Sequence, residues 1–135
     1  MAIISWEQNY SVGVAELDQH HKQLINMINE LYFAMSQDRG QQLVNDIIKE
    51  MHEYAKMHFK VEESYMKQAG YLGSLQHIRE HEWFVAKAQD MADRCEKGEF
   101  VLSLEVIQFL SDWLKTHILQ SDMKYAPALE SKGIR

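Results

Sequence analysis

Helix-breaking residues are almost missing from this chain. One proline, Pro127, and six glycines are spread over 135 residues, and a chain so rarely interrupted is free to run in long helices. The glycines fall at punctuation points: Gly40 follows the polar stretch SQDR, Gly70 and Gly73 bracket AGYLG, and Gly98 closes CEKG. Between them lie four segments of about 20 residues, each about 30 Å long if helical. Every segment carries apolar residues at the helical period. Leu17, Leu24, Ile28, Leu31 and Met35 mark the first, and Ile47, Met51, Tyr54 and Ala55 the second, with Tyr65 and Met66 further on. Phe84, Val85, Ala88, Met91 and Ala92 mark the third, and Val106, Leu110, Trp113 and Leu114 the fourth.

Short connections favour antiparallel neighbours. The expected fold is therefore all-α: one domain over residues 1–135, an antiparallel up-down-up-down four-helix bundle with helices over roughly 18–37, 41–67, 74–96 and 103–123. Asp18, Ser74 and Ser103 are expected as N-caps, and Gly98 as the residue that ends the third helix. An arm over residues 1–17 contains Trp6, Tyr10, Val12 and Val14 with little helical periodicity, and is expected to lie extended across the bundle.

The apolar stripes are broken by histidines. On the first helix His21 lies between Leu17 and Leu24, and on the second Met51 and Tyr54 lead to His58 and then Glu62. On the third, His77 and His81 continue the stripe backwards from Phe84, and on the fourth Val106, Leu110 and Trp113 lead to His117. Each helix thus turns an imidazole inward. Burying such groups without partners costs several kcal/mol, and coordination to a cation removes that penalty. In an antiparallel bundle a common layer needs donors early in helices one and three and late in helices two and four. His21, His58, His77 and His117 alternate in that way. A buried metal site at one end of the bundle is the expectation. Asp122 follows His117 by five residues, which on a regular helix sets the two about 140° apart. A π-type widening would bring it to the site, and spacing alone leaves its role undecided.

Composition narrows the function classes. A net charge of -6 and the lack of any basic block argue against a nucleic-acid partner. The single cysteine, Cys95, fits a reducing compartment, and MAIISWEQNY lacks the pattern of a secretory signal, so a cytoplasmic location is expected. No apolar run has the length of a membrane span.

Five imidazoles and two carboxylates exceed what one zinc accepts, and two metal ions share them more naturally. If both carboxylates and one further oxygen atom bridge two octahedral ions, a single position stays open, as in sites built to bind a ligand. The set WEQNYSVGV, DQHHKQL, HFKVEESYM, HIREH and WLKTHILQSD resembles the hemerythrin family, most closely in look its single-domain bacterial members. The resemblance covers essentially the whole chain, in the family's order and spacing. It implies a non-haem di-iron centre, oxo- or hydroxo-bridged, that binds O2 reversibly and is not an enzyme. It also implies that His77, His81 and His117 hold one iron, that His21 and His58 hold the other, and that Glu62 and Asp122 bridge. O2 would bind end-on, as hydroperoxide, at the iron held by His21 and His58. The bridging proton would move to the bound ligand, so the buried net charge would not change.

Leu24, Phe59, Trp113, Leu114 and Ile118 are expected to form a dry wall around the open position. His20 and His52 are expected outside the metal site, and Glu63, Lys60 and Lys67 on a solvated face. An oxygen-consuming enzyme would be the natural recipient of O2. The competing readings are a di-iron redox enzyme (peroxidase, oxidase or nitric-oxide processing) and an oxygen or iron sensor module. Oxygen-activating bundles use carboxylate-rich sets with paired ExxH motifs, and no glutamate here has a core histidine three residues after it.

Overall fold

The computed structural model of the chain describes residues 4–99 and 101–135, the side chains of residues 40–42 excepted. The first three residues of the expected arm lie outside the described residues. The elements are α1 (Ala15–Ser36), α2 (Gly40–Ala69), α3 (Ser74–Glu96) and α4 (Ser103–Trp113), followed by a π-helix (Leu114–Asp122) and α5 (Met123–Ser131). α4, the π-helix and α5 follow without a break and together form the fourth rod of an antiparallel four-helix bundle. No strand occurs among the described residues. None of their helices is long and apolar enough to cross a membrane.

The apolar stripes face one another. Leu24, Met27, Ile28 and Leu31 of α1, Ile47, Met51 and Ala55 of α2, Phe84 and Ala88 of α3, and Val106 and Leu110 of α4 are buried in one large cluster. A second, smaller cluster gathers Val12, Val14, Leu17, Met66, Ala69, Tyr125 and Leu129. Full burial of each such aliphatic side chain contributes about 1.5–3 kcal/mol, and this burial holds the rods together. At the surface, Arg94 of α3 grips Glu105 of α4 through both terminal nitrogens, with separations of 2.8 to 3.1 Å.

The helix ends differ from expectation in instructive ways. α1 begins at Ala15 with Val14 as its N-cap, and Asp18 sits inside the first turn. Its carboxylate instead accepts hydrogen bonds from the Val12 amide (2.9 Å) and the Ser11 hydroxyl (2.5 Å), which ties down the arm. Gly73 and Leu102, not Ser74 and Ser103, occupy the other two N-cap positions. The Ser74 hydroxyl donates backwards to the Tyr71 carbonyl. The arm includes a short turn of 3-10 helix (Gln8–Tyr10), and Lys22 lies 5.0 Å over the Trp6 ring. The fourth rod also runs on past Pro127 to Ser131. An internal proline costs about 3 kcal/mol. Burial of Tyr125 and Leu129 on either side of it offsets that cost.

α2 ends on Gly70, whose φ of 64° lies in the left-handed region. The amides of Gly70 and Tyr71 return to the carbonyls of Lys67 and Met66, closing a Schellman motif that turns the chain toward α3. A side chain at this backbone conformation is strained although space is open around it. Gly70→Ala is expected to lower stability by about 1 kcal/mol in equilibrium urea denaturation; an unchanged midpoint would mean that the turn relaxes without cost.

Candidate metal centre

Seven buried polar side chains meet between the two apolar clusters. His21, His58, Glu62, His77, His81, His117 and Asp122 are each no more than 3 % exposed. They lie in a layer. Along three of the rods apolar residues flank the layer on both sides: Leu17 and Leu24 about His21, Met51 and Met66 about His58 and Glu62, Ile118 and Tyr125 about Asp122; on α3 it falls in the first turn, at His77. The layer thus lies toward one end of the bundle, at the start of α3, and is buried there. The small cluster of Val12, Val14, Leu17, Met66 and Leu129 closes it off.

The π-helix explains how Asp122 arrives. With i to i+5 hydrogen bonding, residues five apart stand nearly above one another, and His117 and Asp122 bring Nε2 and Oδ1 to 2.9 Å. Elsewhere α-helical spacing suffices, with His58 and Glu62 four apart on α2 and His77 and His81 four apart on α3.

Each carboxylate divides its oxygens between two groups of imidazoles. Glu62 Oε1 is 2.8 Å from Nε2 of both His77 and His81, and Asp122 Oδ1 is 2.9 Å from Nε2 of His77 and of His117. On the other side, Glu62 Oε2 is 3.1 Å from His58 Nε2, and Asp122 Oδ2 is 3.1 Å from His21 Nε2. Two sets of donors result, each with all its atoms within 4.8 Å: Glu62, His77, His81, His117 and Asp122 in one, His21, His58, Glu62 and Asp122 in the other.

The donor chemistry fits a cation. His21 Nε2, His117 Nε2 and both Asp122 oxygens are buried without a hydrogen-bond partner although other donors stand about 3 Å away. Atoms bound side by side to one ion at about 2.1 Å are themselves about 3 Å apart, with lone pairs aimed at the ion and not at each other. All five imidazoles point Nε2 inward, which leaves Nδ1 for outer partners. His81 Nδ1 donates to Glu63 Oε2 (2.8 Å), and His117 Nδ1 donates to Glu80 Oε1 (2.9 Å), which also accepts from the Ser121 hydroxyl. His58 Nδ1 meets His20 Nδ1 at 2.8 Å.

Glu63 thus leaves the solvated face to which its position on α2 assigned it. The neighbouring α3 brings His81 within its reach. His20 contributes to neither donor set but supports His58, and His52 belongs to neither. Glu80 and Tyr125 were not singled out by sequence. Tyr125 donates from its hydroxyl to Glu62 Oε2 at 3.0 Å. Its signal was the position three residues after Asp122, on the buried side of α5.

Leu24, Phe59, Trp113, Leu114 and Ile118 are all buried in the large cluster. Phe59 stacks flat on His81 and Trp113 flat on His117, each with ring centroids 3.9 Å apart. Tyr54 stacks on His58 at 5.1 Å.

Electrostatics follow from this crowding. Burial pushes the His21, His77 and His117 imidazoles down, but the Asp122 and Glu62 carboxylates outweigh it and raise them to about 9, 9 and 10. Burial dominates at His58 and lowers it. Burial opposes ionisation of Glu62 and Asp122, yet the surrounding imidazoles hold both carboxyls well below their usual range. Without metal, His21, His77 and His117 are therefore protonated near neutral pH, and an entering cation must displace those protons. Loading at pH 7.5 is expected to release about three protons per chain from these side chains, read with an indicator dye in weak buffer, and apparent affinity falls as pH is lowered from about 9. Metal uptake with no proton release would contradict this charge state.

Comparison with known proteins agrees with the geometry. A family model described as the hemerythrin HHE cation binding domain matches residues 12–129. A bacteriohemerythrin of Stenotrophomonas maltophilia is 33 % identical over 131 residues, covering 97 % of this chain and 84 % of the relative. One from Methylococcus capsulatus is 29 % identical over 133 residues, covering 97 % of this chain and all of the relative. Among solved structures, a wild-type hemerythrin superposes with a TM-score of 0.84 at 28 % identity, covering 95 % of this chain and 98 % of that one. A leucine-to-alanine variant of hemerythrin gives 0.85 at 28 % identity, covering 96 % and 98 %. With its bundle, its buried histidine and carboxylate layer and these relatives, the chain belongs to the hemerythrin family.

Proposed function

We propose that the centre holds two iron ions and that the chain binds O2 reversibly. In this reading His77, His81 and His117 hold one ion, His21 and His58 hold the other, and Glu62 and Asp122 give one oxygen to each. The division of both carboxylates between two groups of imidazoles is the observation that supports it most. One zinc would leave much of this donor set unused, whereas mixed imidazole and carboxylate ligation suits iron. Two iron ions, when bound, supply the electrons that O2 takes up on binding and returns on release.

The chain's own residues do the rest. Leu24, Phe59, Trp113, Leu114 and Ile118 keep water from the centre and so slow proton entry. Glu63 and Glu80 are turned to imidazole Nδ1 atoms, so these two acids orient histidines rather than deliver protons. That arrangement favours a carrier over a redox enzyme or a sensor. The lone Cys95, with no second cysteine in the chain, suits a cytoplasmic setting, and an oxygen-consuming enzyme is the recipient this function implies.

The test is optical. Iron-loaded protein reduced without air is expected to gain an intense visible absorption band when O2 is admitted and to lose it when argon replaces O2, through repeated cycles. Immediate conversion to a stable oxidised form on first exposure, with no O2 recovered, would overturn the carrier reading and point to redox catalysis on the same ligands.

A further inference from the structure

Among the described residues, the buried side-chain atoms without a hydrogen-bond partner are donor atoms of His21, His117 and Asp122, the Arg94 Nε and the Tyr54 hydroxyl. Nε2 of His21 and of His117 and both Asp122 oxygens have a cation to face, His21 Nδ1 is the outer nitrogen of one of these imidazoles, and Arg94 is already engaged with Glu105 through its other two nitrogens. The Tyr54 hydroxyl belongs to none of these groups. The Tyr54 side chain is 2 % exposed, and its ring lies parallel to His58, within 12°, one helical turn before it on α2. Among the buried members of the large cluster, only Tyr54 and the Trp113 indole carry a polar side-chain atom. An unpaired buried hydroxyl is a standing cost in the folded state, and phenylalanine would fill the same volume without it.

The two sides of the centre are walled differently. On the three-histidine side Phe59 lies flat on His81 and Trp113 on His117, and the one hydroxyl-bearing ring there, Tyr125 against His77, is already paired with Glu62. On the two-histidine side the ring lying on His58 carries a hydroxyl. A ligand that reaches this closed, apolar layer must be small and must shed its water, and it then needs a donor to replace that water. We propose that the Tyr54 hydroxyl is the hydrogen-bond donor to a small exogenous ligand, diatomic or triatomic and carrying a lone pair, lodged on the two-histidine side beside His58. The proposal rests on the two-ion reading above. It makes Tyr54 a selectivity residue: ligands that accept a hydrogen bond are retained over those that cannot.

Azide is the probe. Wild-type and Tyr54→Phe chains are loaded with iron, oxidised, analysed for metal and titrated with azide by optical absorption, and both are also melted metal-free. Equal iron contents are expected, with azide bound about tenfold more weakly by the variant. The metal-free variant should melt at or above the wild-type temperature, because it has shed an unpaired hydroxyl. Unchanged azide affinity would overturn the proposal. So would a metal-free melting temperature several degrees lower, since the hydroxyl would then have a partner in the fold. A phenolate-to-iron absorption band in the wild type without azide, absent from the variant, would overturn it by making Tyr54 a ligand. Failure of the wild-type chain to take up iron would instead refute the two-ion reading, and the proposal with it.

Discussion

Two carboxylates, Glu62 and Asp122, sit fully buried among five imidazoles, and the rest of the molecule is arranged to make that possible. A lone ionised carboxylate cannot be kept in an apolar interior; it must be paired, hydrogen-bonded or bound to a cation. Here each takes one oxygen to the His77, His81 and His117 side and the other to the His21 and His58 side. Every rod of the bundle contributes at least one member of the layer. The rods cannot slide past one another without breaking it, so the polar layer sets the register that the apolar stripes alone would leave loose.

The π-helix is the clearest structural consequence. A regular α-helix would aim Asp122 away from His117, and i to i+5 hydrogen bonding gives up backbone geometry to turn it back. The same widening sets up α5, whose Tyr125 hydroxyl returns to Glu62 and whose Leu129 helps seal the layer from beyond. The outer partners differ between the two sides. His81 and His117 donate to carboxylates, which increases their basicity as ligands. His58 meets the imidazole of His20, and His21 Nδ1 has no hydrogen-bond partner. The three-histidine side is thus the more strongly supported donor set.

The bundle and the converging donors were largely legible in the sequence. Helical periodicity repeats wherever packing demands it, so a histidine on an apolar stripe, as at His21 or His117, declares its inward direction from spacing alone. Asp122 was not legible that way, because its direction depends on a local change of helix type that no residue announces. Glu63, Glu80 and His20 were hidden for another reason. Each sits off its own stripe and reaches an imidazole on a neighbouring helix by the length and angle of its side chain. The fourth rod outruns its expected end at about residue 123 and passes Pro127, because a proline's cost is local whereas the burial of Tyr125 and Leu129 that offsets it is tertiary.

The central claim is that one layer of side chains holds two ions through shared carboxylates. Anomalous diffraction at the iron edge, on crystals of the iron-loaded chain, tests it most directly. Two separate peaks are predicted, one among His77, His81 and His117 and one between His21 and His58, each within bonding distance of both Glu62 and Asp122. A single peak, or histidines and carboxylates hydrogen-bonded directly to one another with no peak between them, would contradict it.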